Sequence, residues 1–209
     1  MSVDARALDA LRRAVLDGGV AVVPTDTVYG LAAAVDVPAG VTGLYALKGR
    51  PRSQPCQVLL YSPRLLEDAL DGLPAAVMAA AAALLPGPAT CLVPDIEGRY
   101  VAAAGAEPGS VGLRAPTMPA AFAAFDVPLI ATSANHPGGA DPRRVAEVPS
   151  DLRGGAACVL DLGELPGIAS AVVDLRPVAR GGSARLVRPG PDPAFVEAVL
   201  GAVGCTLAP

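Results

Sequence analysis

Three cations fall within five residues at Lys48-Gly49-Arg50-Pro51-Arg52. Like charges this close repel, so they gain from a multiply charged anion held between them. Arginine grips such an anion through paired hydrogen bonds, and lysine as a point charge. Residue usage sharpens the point, because fifteen arginines accompany one lysine, Lys48, and the chain holds one asparagine, Asn135, and one histidine, His136. A lysine ammonium is compact and flexible in a way arginine cannot imitate. An asparagine offers one acceptor and two donors on a short stem.

Three further polar loops adjoin apolar runs. Pro24-Thr25-Asp26-Thr27-Val28-Tyr29-Gly30 brings two hydroxyls and a phenol after Val20–Val23. Ser110-Val111-Gly112-Leu113-Arg114 ends a candidate strand on an arginine, and Ala131-Thr132-Ser133-Ala134-Asn135 runs into His136-Pro137-Gly138-Gly139. Small hydroxyl and amide side chains beside glycines let backbone N–H groups approach a phosphate closely. Each segment taken alone also reads as an ordinary turn. Together they supply hydroxyls, amides and cations but no carboxylate pair. That inventory suits charge stabilisation of phosphates and a carboxylate better than general acid–base hydrolysis.

Other signatures are missing: no G-x-x-x-x-G-K-[ST] precedes Lys48, and neither G-x-G-x-x-G nor H-E-x-x-H occurs. One histidine cannot build a metal cluster, so no protein metal site is expected. A Ser–His–Asp triad could use only His136, three residues from Ser133, which is a weak case.

The elements that must position these loops alternate in type. Helical spacing predicts helices over Ala5–Leu16, Pro38–Leu47, Pro63–Leu70, Leu73–Leu85, Pro119–Phe125, Pro142–Val148 and Pro193–Val203. Short apolar runs predict strands at Val20–Val23, Val28–Val35, Gln57–Tyr61, Ala89–Val93, Ser110–Leu113, Pro128–Thr132, Cys158–Leu160, Ala171–Leu175 and Arg185–Val187. Alternation of this kind argues an α/β sheet, with ligands in the loops beyond the strand ends. Arg176–Ser183, the most linker-like stretch, is short, so residues 1–209 read as one domain.

Composition narrows the class further. Of 209 residues, 52% are apolar and 17% charged, too apolar for a solvated tail, and a net charge of −4 gives no chain-wide attraction to nucleic acid or anionic lipid. Gly72–Pro94 carries no charge, but Pro86-Gly87-Pro88 interrupts it, so a buried helix and strand are expected there rather than a membrane span. The N-terminus, MSVDARALDALRR, lacks an apolar signal core. Cys56, Cys91, Cys158 and Cys205 lie far apart without C-x-x-C spacing and read as small hydrophobes in a reducing cytoplasm.

Taken in order, the segments resemble the YrdC-like family, the threonylcarbamoyl-AMP synthases. PTDTVYGL resembles its opening strand and loop, KGRP its K-x-R element, PGPAT its P-G-P-x-T turn, VGLRAP its third loop and TSAN its S-x-N element. SAVVDL followed by RLVRPG resembles its closing segment. The matches run from about residue 20 to 190, and the resemblance is to the family's short form, for which no C-terminal accessory domain is expected.

The resemblance implies a twisted open mixed α/β sheet with a concave basic cavity. It implies a nucleotidyltransferase that makes threonylcarbamoyl-AMP and pyrophosphate from L-threonine, bicarbonate and ATP, with Mg2+ accompanying ATP. The product would serve tRNA threonylcarbamoyladenosine modification through partner proteins. By the same resemblance Lys48, Arg50, Gln54, Ser110, Ser133, Asn135 and Arg188 hold ATP or the adenylate, with Lys48 and Arg50 facing the phosphates as the catalytic pair. Thr27, Arg114, Ser170 and Leu59 form the threonine end, Arg114 pairing with its carboxylate. The chain departs from the family at Leu59, where some members carry His, at Cys56, at Thr117-Met118 and at Ala171, all on the substrate rim. Two other readings stay open: a module that binds RNA weakly without making adenylate, and a carbamoyl-adenylate-forming relative with a different acceptor.

Overall fold

The computed structural model describes residues 4–208. The chain opens with α1 (Ala5–Leu16), capped by the Asp4 side chain, which accepts from the Ala7 amide at 2.8 Å; Leu8, Leu11 and Val15 form its buried stripe. The strands follow as β1 (Ala21–Val23), β2 (Gly30–Ala34), β3 (Gln57–Leu59), β4 (Ala89–Pro94), β5 (Ser110–Arg114), β6 (Leu129–Ser133), β7 (Cys158–Val159), β8 (Ala171–Asp174) and β9 (Arg185–Arg188). Between them lie α2 (Pro38–Lys48), α3 (Pro63–Leu70), α4 (Ala75–Leu84), α5 (Ser150–Gly154) and α6 (Pro193–Ala202). All nine strands join one mixed sheet in the order β7-β1-β2-β6-β3-β5-β4-β8-β9. The β1–β7, β3–β5 and β4–β8 pairs are parallel.

Successive strand residues point to opposite faces, and the two faces are covered differently. One face takes Val22, Leu31, Val58, Ile130, Leu113, Cys91 and Val173 and packs under α2, α3, α4 and α6. The opposite face takes Ala21, Ala32, Leu59 and Leu129 and is covered by α1 and the segment around Phe122 and Phe125. That second cover is small. It reaches the β1, β2 and β6 side, and along β5, β4, β8 and β9 the same face lies open. The expected twisted open mixed sheet is therefore present, and its uncovered half creates a concavity.

The predicted helices at 119–125 and 142–148 shrink to short 3-10 turns, Ala120–Ala124 and Val145–Glu147. Prolines at 116, 119 and 128 bracket the first. Extended Arg144, at φ −134° and ψ 150°, delays the second. Arg176–Arg180, expected as linker, also winds into a 3-10 turn. The charge-free stretch folds as α4 and β4, with Val77, Ala80, Ala81 and Leu84 buried. No helix among the described residues is long and apolar enough to cross a membrane. The reading of the N-terminus falls in part on residues 1–3, outside the described ones.

Candidate active site

The open half of the sheet floors a cavity of about 510 Å³. Its floor follows the two-residue period of the strands: Gln57 and Leu59 on β3, Thr90 and Leu92 on β4, and Ser110, Gly112 and Arg114 on β5. Gly112 keeps the centre of that floor low, since a Cβ there would stand 3.3 Å from Thr90 Cγ2 and 3.4 Å from Leu92 Cδ2. Four arginines, Arg50, Arg114, Arg176 and Arg188, line the cavity against two carboxylates, Glu107 and Asp141. Arginines therefore outnumber carboxylates on the lining, although Arg114 is paired with Asp26 and Arg176 with Asp174 and Glu107.

Of the residues singled out from the sequence, Thr27, Arg50, Leu59, Ser110, Arg114, Ser133, Ser170 and Arg188 line this one cavity. Gln54 lies instead on the exposed turn before Pro55, and the cavity takes Gln57, whose Oε1 accepts from Thr90 Oγ1 at 3.0 Å. Lys48 differs most from expectation. It is 5% exposed, and its ammonium turns inward rather than toward the open cavity. There it donates to Ser133 O at 2.6 Å, to Asn135 Oδ1 at 2.7 Å and to Asn135 O. Burial and the nearby Arg50 charge push its pKa down from 10.5 to about 8. Asn135, 9% exposed, lies behind the same wall; its Nδ2 donates to Gly139 O at 2.7 Å and to Asp141 Oδ1 at 3.2 Å.

Gly49 explains how neighbours point apart here. It caps α2 in the left-handed region at φ +64°, where glycine is unstrained, so Lys48 turns into the protein and Arg50 out to the cavity. Arg50 Nη1 donates to Thr132 Oγ1 at 3.0 Å and Nη2 to Pro55 O at 2.6 Å, while its buried Nε has no partner in the protein.

At the other end, Arg114 is 1% exposed and spends its terminal nitrogens internally, on Gly87 O, Ala89 O and Asp26 Oδ1. Burial lowers its pKa, and the Asp26 charge works against that fall. The second Asp26 oxygen accepts from the Thr117 amide at 3.0 Å, which ties the loop after β5 to the loop after β1. Thr25 fixes the latter loop: its Oγ1 donates to Val28 O at 2.8 Å and accepts from the Thr27 and Val28 amides at 3.1 Å. Thr27 thus sits in a locked turn, 3% exposed, with its hydroxyl 2.9 Å from Thr25 Oγ1. Ser170 joins Thr90 at 3.1 Å, and Arg188 braces it through the Ser170 carbonyl at 2.8 Å and hydroxyl at 3.2 Å.

Sequence reasoning passed over Asp26, Thr90, Asp141 and Arg176. Thr90 and Gln57 had a usable signal, polar residues alternating with buried ones along short strands. Asp141 and Arg176 had none, since loop folding alone brings them in. His136 takes no part in a triad; its Nε2 lies 3.2 Å from Asp151 Oδ1 at the surface. Among the described residues no three His, Cys, Asp or Glu side chains gather as a metal-binding group.

The family model Sua5/YciO/YrdC, described as "Telomere recombination", matches residues 13–190. A threonylcarbamoyl-AMP synthase of Chromohalobacter salexigens is 36% identical over 82% of this chain and 92% of its own length. One of Pyrococcus abyssi is 31% identical over 90% of this chain, which spans 55% of that protein. The crystal structure of P. abyssi Sua5 complexed with L-threonine superposes over the whole chain and 61% of its own, with a TM-score of 0.82 at 27% identity. Escherichia coli YciO shares the fold, with a TM-score of 0.77 at 19% identity over 91% of this chain and 92% of its own.

Proposed function

The chain belongs to the Sua5/YciO/YrdC family, and from that membership we propose that it forms L-threonylcarbamoyladenylate and pyrophosphate from L-threonine, bicarbonate and ATP. One observation carries the reading: a single cavity collects hydroxyls, apolar side chains and four arginines. The P. abyssi relative forms a crystalline complex with L-threonine, which supports the amino-acid half of the assignment.

Bicarbonate loses water to give CO2, threonine's amine takes up the CO2 as a carbamate with release of a proton, and a carbamate oxygen attacks the α-phosphate while pyrophosphate leaves. Such a step asks for orientation and neutralisation of growing charge more than for a covalent nucleophile. Arg50 lines the cavity beside the Thr132 and Ser133 hydroxyls, and these groups hold the phosphates. Ser110 and Arg188 extend that hold along the floor toward Ser170. Lys48 and Asn135 act from behind by fixing the Ser133–Asn135 backbone. Thr27, Ser170, Leu59 and Arg114 form the threonine end, with Asp26 holding Arg114 in place.

The cavity's hydroxyls and its Asp141 carboxylate are hard oxygen donors of the kind Mg2+ accepts alongside nucleotide phosphates. Bound there, the ion would neutralise the leaving pyrophosphate. The product would pass to tRNA-modifying partner proteins, work that belongs in the cytoplasm.

The test is pyrophosphate release from ATP. It is expected only when L-threonine and bicarbonate are both present, and release that needs neither sinks the assignment.

A further inference from the structure

Two carboxylates line the cavity, and they differ in what neutralises them. Glu107 lies at the rim, its side chain 63% exposed, with Oε2 2.7 Å from Arg176 Nη1. Asp141 is half-buried and lines the cavity together with Arg50, Thr132 and Ser133. Among the described residues it has no salt bridge. Its Oδ1 accepts from Asn135 Nδ2 at 3.2 Å, and its Oδ2 takes no hydrogen bond there.

A carboxylate without an ion pair, its charge felt only by the nearby Lys48 ammonium, is a liability on the wall that receives a triphosphate. Two anions at close range in a partly dry cleft repel, and the position weakens ATP binding unless a cation lies between them. Mg2+ fits that place. It keeps several waters and is held by one or two carboxylates together with substrate phosphates, rather than by a protein cage. A single aspartate supplies one such ligand. The rest must come from phosphate oxygens, water and neighbouring hydroxyls, so the ion has to arrive with the nucleotide.

Resting on the synthase reading, we propose that Asp141 Oδ2 holds the Mg2+ of the ATP complex, directly or through one of its waters. Asn135 then has a double task. Its Oδ1 accepts from Lys48 at 2.7 Å while its Nδ2 aims Asp141, so one amide separates the cation that steadies the loop from the carboxylate that takes the metal.

The experiment is calorimetric titration of ATP into the wild-type chain and its Asp141→Asn variant, once with Mg2+ and once with EDTA. Asp141→Asn is expected to weaken binding of Mg·ATP by about ten- to hundredfold. Binding of metal-free ATP should stay unchanged or tighten, because a negative charge has gone. Asp141→Glu keeps a carboxylate and is expected to keep the gain in affinity on adding Mg2+; thermal midpoints check that both variants fold. Equal weakening with and without metal in either variant would mean that Asp141 merely orients Asn135, and overturns the proposal. So does affinity for Mg·ATP that is unchanged in Asp141→Asn. A wild-type chain that binds no ATP in either condition overturns the synthase reading itself.

Discussion

The only lysine and the only asparagine of the chain are bonded to each other, Lys48 Nζ donating to Asn135 Oδ1 at 2.7 Å across 87 residues of sequence. The same ammonium reaches Ser133 O and Asn135 O, so its three donors hold one backbone loop. Arginine could not replace it here: a planar fork does not converge on three acceptors grouped around one point. That these two positions keep the rare residue types therefore has one structural reason, and the K-x-R and S-x-N elements form one assembly.

Lys48→Met should abolish adenylate formation and also lower the thermal midpoint. Removing the ammonium leaves Ser133 O and the Asn135 oxygens short of donors, and a buried polar group without a partner costs about 1–3 kcal/mol. Arg50→Ala should abolish activity with a small stability change, because Arg50 faces the cavity. Thermal melts beside pyrophosphate assays separate the two; an unchanged midpoint for Lys48→Met would show that the loop does not depend on it.

The lowered Lys48 pKa has a pH signature. The charged amine is disfavoured in the folded chain, where it titrates at about 8, against 10.5 as the ordinary value. Below about pH 8 both states hold the proton and the penalty is constant. Between 8 and 10.5 the unfolded chain binds more protons, so this group makes the fold relatively more stable as pH rises. Activity should move the other way, since the neutral amine loses a donor and its charge. The melting difference between wild type and Lys48→Met should therefore shift in favour of wild type above pH 8 while turnover falls; parallel pH profiles would refute it.

The strand over Ser110–Leu113 that ends on Arg114 is legible as a short apolar run, and the structure has it as β5, with Leu113 in the core and Arg114 at the cavity. Helix α3 and helix α1 have the bounds their spacing predicts, because both start at a capping side chain and carry a clear apolar stripe. The direction of Lys48 was not legible. It depends on a loop 85 residues away that offers three acceptors, and nothing local to KGRP records this. Likewise Gln54 and Gln57 lie in one polar stretch, and only the register of β3 against β5 and β6 puts Gln57 over the cavity.

Serine should be a poorer substrate than threonine but still used. Leu59 lies at the cavity floor, fully buried from solvent, so it backs the apolar surface against which threonine's methyl group packs. Losing one methyl contact is worth about 1–3 kcal/mol. Comparing kcat/KM for the two amino acids tests this, and equal values would place the side chain elsewhere.

Asn135→Asp should damage ATP binding more than Asn135→Ala does. The native amide uses both ends: Oδ1 accepts from Lys48 and, at 2.7 Å, from Ser133 Oγ, and Nδ2 donates to Gly139 O and Asp141 Oδ1. Alanine deletes these contacts and adds no charge. Aspartate keeps the acceptor toward Lys48 but turns a bare oxygen toward the Gly139 carbonyl and the Asp141 carboxylate, both of which now repel it. The new charge also neutralises Lys48 and stands beside the wall where the triphosphate binds. If the asparagine did no more than shape the turn before Pro137-Gly138-Gly139, aspartate would be the milder change, since it too favours turns. ATP titration of both variants, with thermal midpoints to correct for folding, decides between these. An Asn135→Asp variant that binds ATP as tightly as wild type would remove this loop from the nucleotide site.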